Sequence, residues 1–327
     1  MNGVSRFALC TSLTIAAALF VSGSHLKLTR AITGVSAAAA AAQDQEPDPA
    51  AVNQAPSGPS YTTQAPPPPG QEGAPGQGSD DSGYAEQPTQ TALQPPPALP
   101  EYQQPPPPAD GYIWTPGYWA WSSTGYYWVP GAWVEPPYMG ALWTPGYWGY
   151  YGNRYMFYPG HWGQHIGFYG GINYGFGYIG FGYEGGYWNS GRFFYNRAYN
   201  HLNERLVHNV YSYNAGNRVR NLPRGNSNPR TSYSGGHGGV QARPQPSEGA
   251  AWHEPTAPRM NSQVQHAQSY GAVRGQHASQ NRGNPARTAV SKPIPADRNV
   301  KPQRSEERRI GKAGRSRWSP SHYKKPP

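Results

Sequence analysis

Between residues 111 and 190, few side chains are of the types that catalyse reactions, and their spacing gives them no common site. Glu135 and Glu184 are the only acids between residues 111 and 190, and nothing pairs them as glycoside hydrolysis requires. His161 and His165 have the spacing of metal ligands on a helix, but Gly163 and the strand-like context argue against a helix. The sequence therefore predicts no enzyme, no metal site, no cofactor and no small-molecule substrate.

Two further features, a glycine pattern and a cysteine, also predict no functional site. Gly175, Gly177 and Gly180 match a nucleotide-binding glycine pattern in form, but aromatic rings surround them and no helix is predicted after them. Cys10 is the single cysteine and lies in the N-terminal apolar run, so a processed chain would have no thiol for catalysis, disulfides or metal binding.

Aromatic residues are the distinctive feature, because one short motif of the form aromatic-x-Pro-Gly-x-Trp occurs four times. The glycines follow one another at intervals of 14, 15 and 14 residues. Such a period is typical of one supersecondary unit copied in tandem, each copy packing on its neighbours. The residues that define the repeats are Trp114, Gly117 and Trp119; Trp128, Gly131 and Trp133; Trp143, Gly146 and Trp148; and Phe157, Gly160 and Trp162.

The repeats are expected to be β-strands, since aromatic residues favour strands and the frequent Gly and Pro would break helices. Turn sequences lie between repeats, at residues 122–125, 135–140 and 151–153, and predict an antiparallel meander. The Pro-Gly of each repeat has two interpretations. It is either a type II turn that sets Trp114 against Trp119, or a bulge that brings both to one face, and we favour the bulge.

The main interpretation of the Trp residues is that they form the core, since no other part of the chain could. Tyr118, Tyr147 and His161 lie between the glycine and the second Trp of their repeats, so we expect them on the opposite face. A row of exposed rings there would stack on the C–H faces of sugars. These three residues are therefore the candidate ligand-binding positions.

The chain flanking the repeats is low in apolar residues and divided by charge. Residues 43–110 contain nine acidic and no basic residues, with several proline runs, and are predicted to be a disordered linker. Residues 213–327 are predicted to be a disordered basic tail rich in Arg, Gly and Pro. Between them, residues 111–212 form the predicted aromatic β-repeat domain, with its core at 111–196. The fold class is thus all-β, a small meander between long tails.

The N-terminus has the pattern of an export signal. Arg6 precedes an apolar run of about sixteen residues, which is short for a membrane-spanning helix. Residues 1–42 are therefore predicted to be a signal peptide, cleaved after Ser24 or after Ala42. The alternative is an uncleaved segment that anchors the chain in the inner membrane.

The repeats resemble the YXWGXW (also written WxxGxW) repeat family of exported bacterial proteins. The resemblance extends beyond them to residues 171–186, 192–196, 208–211 and 232–244. It implies export and an all-β repeat core, and it supplies no catalytic residue.

These observations predict an exported, non-enzymatic structural or adhesive protein of the cell envelope. Two alternatives remain open: a module that stacks glycans on exposed Trp and Tyr, and a basic tail that binds polyanions. For an exported chain, anionic envelope components or polysaccharide are the expected partners ahead of nucleic acid. Free sheet edges would also allow self-association.

Overall fold

A computed structural model of the chain describes residues 48–56, 87–216 and 229–303. They belong to one compact unit, Glu46–Pro327, whereas a second unit, Met1–Gln45, lies outside the described residues. The predicted signal peptide with Cys10, the proline run at 66–69 and the basic end at 304–327 also lie outside them. No helix among the described residues is long and apolar enough to cross a membrane.

Short strands dominate the described chain and form small, mostly antiparallel sheets, which confirms the all-β prediction. Among these strands only two pairs are parallel, one that joins Tyr195 to Val210 and one that joins Trp148 to Tyr233. The strands are β1 Gln90–Ala92, β2 Ile113–Thr115, β3 Tyr118–Ser122, β4 Gly125–Val129, β5 Ala132–Val134, β6 Leu142–Thr144, β7 Tyr147–Tyr151, β8 Arg154–Tyr158, β9 His161–Gly163, β10 Asn173–Gly175, β11 Tyr178–Ile179, β12 Gly186–Asn189, β13 Arg192–Asn196, β14 Val210–Tyr211, β15 Tyr233–Ser234 and β16 Ala257–Pro258.

The four repeats pair two by two, and each pair forms one long hairpin. In the first hairpin β2 pairs with β5 and β3 with β4. In the second, β6 pairs with β9 and β7 with β8. The turn of the second hairpin is Gly152-Asn153, whose φ angles of 56° and 61° are the left-handed values that a type I′ turn requires.

The Pro-Gly steps interrupt both strands of a hairpin at the same level. Trp114 pairs with Trp133 and Trp119 with Trp128, so the two Trp of one repeat do not face each other across a tight turn. The pairing register is the same on both sides of the interruption, and neither strand contains an extra residue. The bulge that the sequence favoured is therefore also wrong. Both strands are interrupted over two residues at the same level, so the pairing register does not shift.

The predicted basic tail is ordered over much of its length, so the prediction of disorder for 213–327 is wrong for residues 229–303. These residues contain helices and the strands β15 and β16. One helix packs Ala267 against Ala120, Tyr127 and Val129 on the outer face of the first hairpin. The helices of this region are α2 Pro246–Ala251, α3 Asn261–Gly271 and α4 Ala278–Asn281, with a 3-10 turn at Arg274–Gln276.

The predicted acidic linker is likewise ordered at residues 48–56 and 87–110, where the prediction of disorder is wrong. A short helix, α1 Pro49–Val52, leads to Asn53, which is 1% exposed. The Asn53 amide donates hydrogen bonds to the carbonyl oxygens of Tyr183 (2.8 Å) and Gly186 (2.7 Å). Buried hydrogen bonds of this kind fix a segment that has little apolar surface of its own.

Flanking segments also lie along the edges of the repeat hairpins. β1 pairs with β8, β15 with β7 and β16 with β9, while isolated bridges join Gly131 to Ala289 and Val134 to Ile294. The described chain thus covers several edges on which the predicted self-association depended. Self-association itself stays a prediction.

Candidate functional site

The eight aromatic residues of the repeats form four cross-strand pairs of one type. In each pair the first aromatic residue of one repeat lies opposite the second aromatic residue of the other repeat. None of the eight is more than 5% exposed, and all belong to one core cluster. The ring centroids are 5.3 Å apart for Trp114–Trp133, 5.3 Å for Trp119–Trp128, 5.1 Å for Trp143–Trp162 and 5.3 Å for Trp148–Phe157.

The glycine of each repeat lies beneath the first aromatic ring of the paired repeat. A Cβ atom on Gly131 would be 2.6 Å from Cζ2 of Trp114, and one on Gly146 would be 2.9 Å from Cζ of Phe157. Gly117 is covered in the same way by Trp128, and Gly160 by Trp143. The motif therefore needs glycine so that the facing ring can lie on the backbone.

Tyrosine hydroxyls and the tail satisfy backbone groups that the Pro-Gly gaps leave without ladder partners. Tyr102 accepts a hydrogen bond from the Gly117 N–H at 3.2 Å, and Tyr174 donates one to the Gly146 carbonyl at 2.7 Å. The Gly131 N–H donates to the Thr288 carbonyl at 3.1 Å. Burial raises the pKa of Tyr102 and Tyr174, so both hydroxyls stay protonated at neutral pH.

Tyr178 joins the two hairpins at equivalent points. Its hydroxyl is within hydrogen-bond distance of two carbonyl oxygens, that of Trp114 at 3.2 Å and that of Trp143 at 3.0 Å. Tyr178 is fully buried, and burial holds its pKa well above the ordinary value. The Gly-aromatic stretch after the repeats is thus a source of buried hydroxyls for the core.

Indole N–H groups of the repeats hold the flanking segments. Four of the seven repeat indoles donate to an acceptor outside the repeats, two in the predicted linker and two in the predicted tail. These four bonds are the contribution that the sequence did not reveal, since indole donors carry no sign of their partners. The bonds are Trp119 to the Ala98 carbonyl (3.2 Å), Trp133 to the Pro105 carbonyl (2.6 Å), Trp128 to the Thr288 carbonyl (3.0 Å) and Trp162 to Gln263 Oε1 (2.9 Å).

The three candidate ligand-binding residues do not form an exposed row. Tyr118, Tyr147 and His161 are each half-buried. Tyr118 stacks on Phe157 at 5.3 Å and its hydroxyl accepts a hydrogen bond from Arg259. Tyr147 stacks on Tyr158 at 5.0 Å, and burial raises its pKa. A ligand-binding role for the three residues stays a prediction.

Two of the residues considered for catalysis or metal binding, Glu135 and His165, make ion pairs with residues of the tail. Glu135 pairs with Arg298 at 2.6 Å, and His165 with Glu254 at 2.7 Å. Glu184 is completely buried. In the described part of the chain, no three His, Cys, Asp or Glu side chains are grouped as ligands for a metal ion.

Glu248, in the tail, is a buried acid that the sequence gave no reason to single out. It is 1% exposed, and its Oε2 accepts a hydrogen bond from the Gln245 N–H at 2.8 Å at the start of α2. Burial raises its pKa from 4.5 to about 7. A carboxyl group in this position binds its proton more tightly in the folded chain than in the unfolded chain.

The free energy of unfolding should therefore fall as the pH rises from about 4.5 to about 7, by about 3 kcal/mol from Glu248 alone. Below this window Glu248 is protonated in both states, and above it the carboxylate is charged in both. Glu248→Gln keeps the acceptor but cannot ionise. Urea denaturation at pH 4.5, 6 and 7.5 should show wild type losing stability relative to the variant, and parallel curves would contradict the assignment.

Wild type must be compared with the Glu248→Gln variant because the titration of His266 changes the free energy of unfolding in the opposite direction with pH. Burial lowers the pKa of His266, so its contribution to stability is lost as the pH falls below its ordinary value of 6.5. This effect is common to both proteins and cancels in the comparison.

Comparison with known protein families agrees with this geometry. The chain carries two copies of the WXXGXW repeat, matched at residues 110–134 and 142–162, which confirms the resemblance drawn from the motifs. Each matched copy coincides with one hairpin and therefore contains two of the short motifs. No curated protein and no solved structure matches the chain.

Proposed function

We propose that this protein is an exported, non-enzymatic structural or adhesive component of the cell envelope. The proposal rests on the contacts of the repeat aromatic residues. All eight are buried in the core, and four of their indoles donate hydrogen bonds to the flanking segments. An aromatic block that organises its own flanks is suited to a scaffold. Export rests on the pattern of residues 1–42.

Cell fractionation tests the proposal most directly. Antibodies raised against the purified chain should detect it in the periplasmic, envelope or extracellular fractions of its native host. Purified protein without residues 1–42 should also sediment with isolated envelopes. A cytoplasmic location, or no retention on envelopes, would contradict the proposal.

A second candidate, polyanion binding, is favoured by the charge of the last 24 residues, which contain eight Lys or Arg and two Glu. Anionic envelope components are the proposed partners, with nucleic acid as the alternative. Because residues 229–303 pack on the repeats, the informative deletion is 304–327 alone. Loss of these residues should abolish retention on heparin at low salt. For the full chain, about 0.5 M salt should abolish this retention.

The matched control is the unfolding curve of the same deletion variant. It should superimpose on that of the full chain, since this variant keeps all the described contacts of residues 229–303 with the repeats. Heparin binding that survives the deletion would assign the polyanion surface to another part of the protein.

A further inference from the structure

An open groove lies beside the first hairpin, away from the Pro-Gly gaps. Its volume is about 600 Å³, within the range of small-molecule binding sites. Five separate parts of the chain line it: the segment before β2, the loop between the repeat hairpins, the β12–β13 hairpin, the segment before β14 and the tail near residue 298.

The groove combines aromatic rings with fixed polar groups. Tyr112, Tyr138 and Trp188 are half-buried lining residues. The Trp188 indole N–H donates to the Ala141 carbonyl at 3.0 Å, and its ring packs edge-on against Phe193 at 5.4 Å. These contacts hold the indole in one orientation.

Met139 extends the apolar part of the groove into solvent. It is 74% exposed, and its sulfur lies 3.1 Å from the position that a Cβ atom on Gly191 would take. Its exposed thioether adds apolar surface to the rim of the groove.

Charged side chains along the groove are mostly paired. Glu135 binds Arg298 at 2.6 Å, and Asp110 binds His208 at 2.8 Å. Arg192 also lines the groove and makes no ion pair with any described residue. The lining has two acids and two arginines, so its formal charge is zero when His208 is neutral.

We propose that this groove binds a short, uncharged oligosaccharide. The rings would stack on the C–H faces of sugar units, while the carboxylates and guanidinium groups exchange hydrogen bonds with sugar hydroxyls. A lining that is neutral overall favours a neutral ligand over a polyanion. The inference goes beyond the scaffold proposal, and it places sugar binding away from Tyr118, Tyr147 and His161.

Isothermal titration of the purified chain with cellohexaose, chitohexaose and mannohexaose tests the proposal. At least one of the three should bind with an affinity that changes less than about twofold between 0.1 and 1 M salt, because charge attraction contributes little. Failure of all three to bind would overturn the proposal. Binding only to heparin, abolished by salt, would overturn it in favour of the polyanion candidate.

Variants locate the site. Trp188→Ala should weaken binding about tenfold, the effect of one aromatic contact, and Arg192→Ala should weaken it by severalfold. The matched controls are Tyr151→Ala, at a 73% exposed ring, and Arg154→Ala, both outside the groove and expected to bind as wild type.

Arg192→Ala distinguishes a lost contact from misfolding. Arg192 is exposed, so its replacement should not alter the near-ultraviolet circular dichroism. Sugar binding that is unchanged in both groove variants would overturn the assignment of this site. Sugar binding lost only in the Tyr151 or Arg154 variant would do so as well. Because the test measures sugar binding rather than location, its failure would leave the envelope proposal standing.

Discussion

Replacing Gly131 by alanine is expected to destabilise the protein by about 3 kcal/mol, an overpacking penalty at the upper end of the usual range. The new methyl carbon would lie 2.6 Å from Cζ2 of Trp114 and 3.0 Å from the backbone nitrogen of Gly117. The indole has little room to move because it packs against Trp133 in the same core. The urea midpoint of the purified variant measures the loss.

The same substitution elsewhere provides a matched control. Gly249 lies inside α2, and a Cβ atom there would meet no atom within 4 Å. Gly249→Ala should therefore leave stability unchanged or raise it by up to about 1 kcal/mol through helix propensity. Equal losses in the two variants would show that crowding by the ring is not the cause.

A double-mutant cycle separates the ring from the backbone as the source of the penalty. Trp114→Phe removes the Cζ2 atom and mimics the fourth repeat, where Phe157 already covers Gly146. If the ring is responsible, the combined variant with Gly131→Ala should be more stable than the sum of the single losses predicts, by at least about 1 kcal/mol. Additive losses would contradict the ring-over-glycine account.

The strands and turns of the repeats were predictable from local chemistry alone. Aromatic residues between Gly-containing turns give hairpins, and Asn189-Ser190-Gly191 has the residue types of a turn as well. Ser190 and Gly191 have φ values of 47° and 76° and connect β12 to β13. Each of these features depends on neighbours within a few residues, which a sequence pattern records directly.

The geometry of the Pro-Gly steps was not predictable in the same way. The odd spacing of Trp114 and Trp119 favours an extra residue when one strand is considered alone. The partner strand carries Pro130-Gly131 at the matching level, so the ladder is interrupted on both sides and needs no bulge. Only the pairing of one repeat with the next contains that information.

The flanks were misjudged because composition measures what a segment can bury by itself. A proline-rich segment offers carbonyl acceptors with few N–H donors, which complements buried indoles that can only donate. Trp133 meets the Pro105 carbonyl in this way at 2.6 Å. Order in the flanks therefore depends on donors that lie far away in the sequence.

Ending the chain at residue 286 should have a still larger effect than the glycine substitution, although this end was predicted to be disordered. Residues 287–303 contact the first hairpin through backbone hydrogen bonds and one indole. Gly131 N–H donates to Thr288 O (3.1 Å), Val290 N–H to Gly131 O (2.9 Å), Ile294 N–H to Trp133 O (2.9 Å), Glu135 N–H to Ile294 O (2.9 Å) and the Trp128 indole to Thr288 O (3.0 Å).

Five such bonds at about 1 kcal/mol each, together with Ile294 at 6% exposure, contribute more than about 5 kcal/mol. That is comparable with the whole stability of a small domain, so the shortened chain should be largely unfolded at 25 °C. Circular dichroism and urea denaturation measure the effect. A chain ending at residue 303, which keeps this segment, is the control and should unfold like the full-length protein.

A single substitution tests the same contact in a chain of normal length. Ile294→Ala should cost about 2–4 kcal/mol by leaving a cavity against the hairpin edge, whereas Val273→Ala, at a side chain 43% exposed, should cost less than about 1 kcal/mol. The contrast holds because Ile294 sits beside Val134, where the tail runs parallel to β5. If both variants and the chain ending at 286 unfolded like wild type, residues 287–303 would not be part of the folded domain in solution.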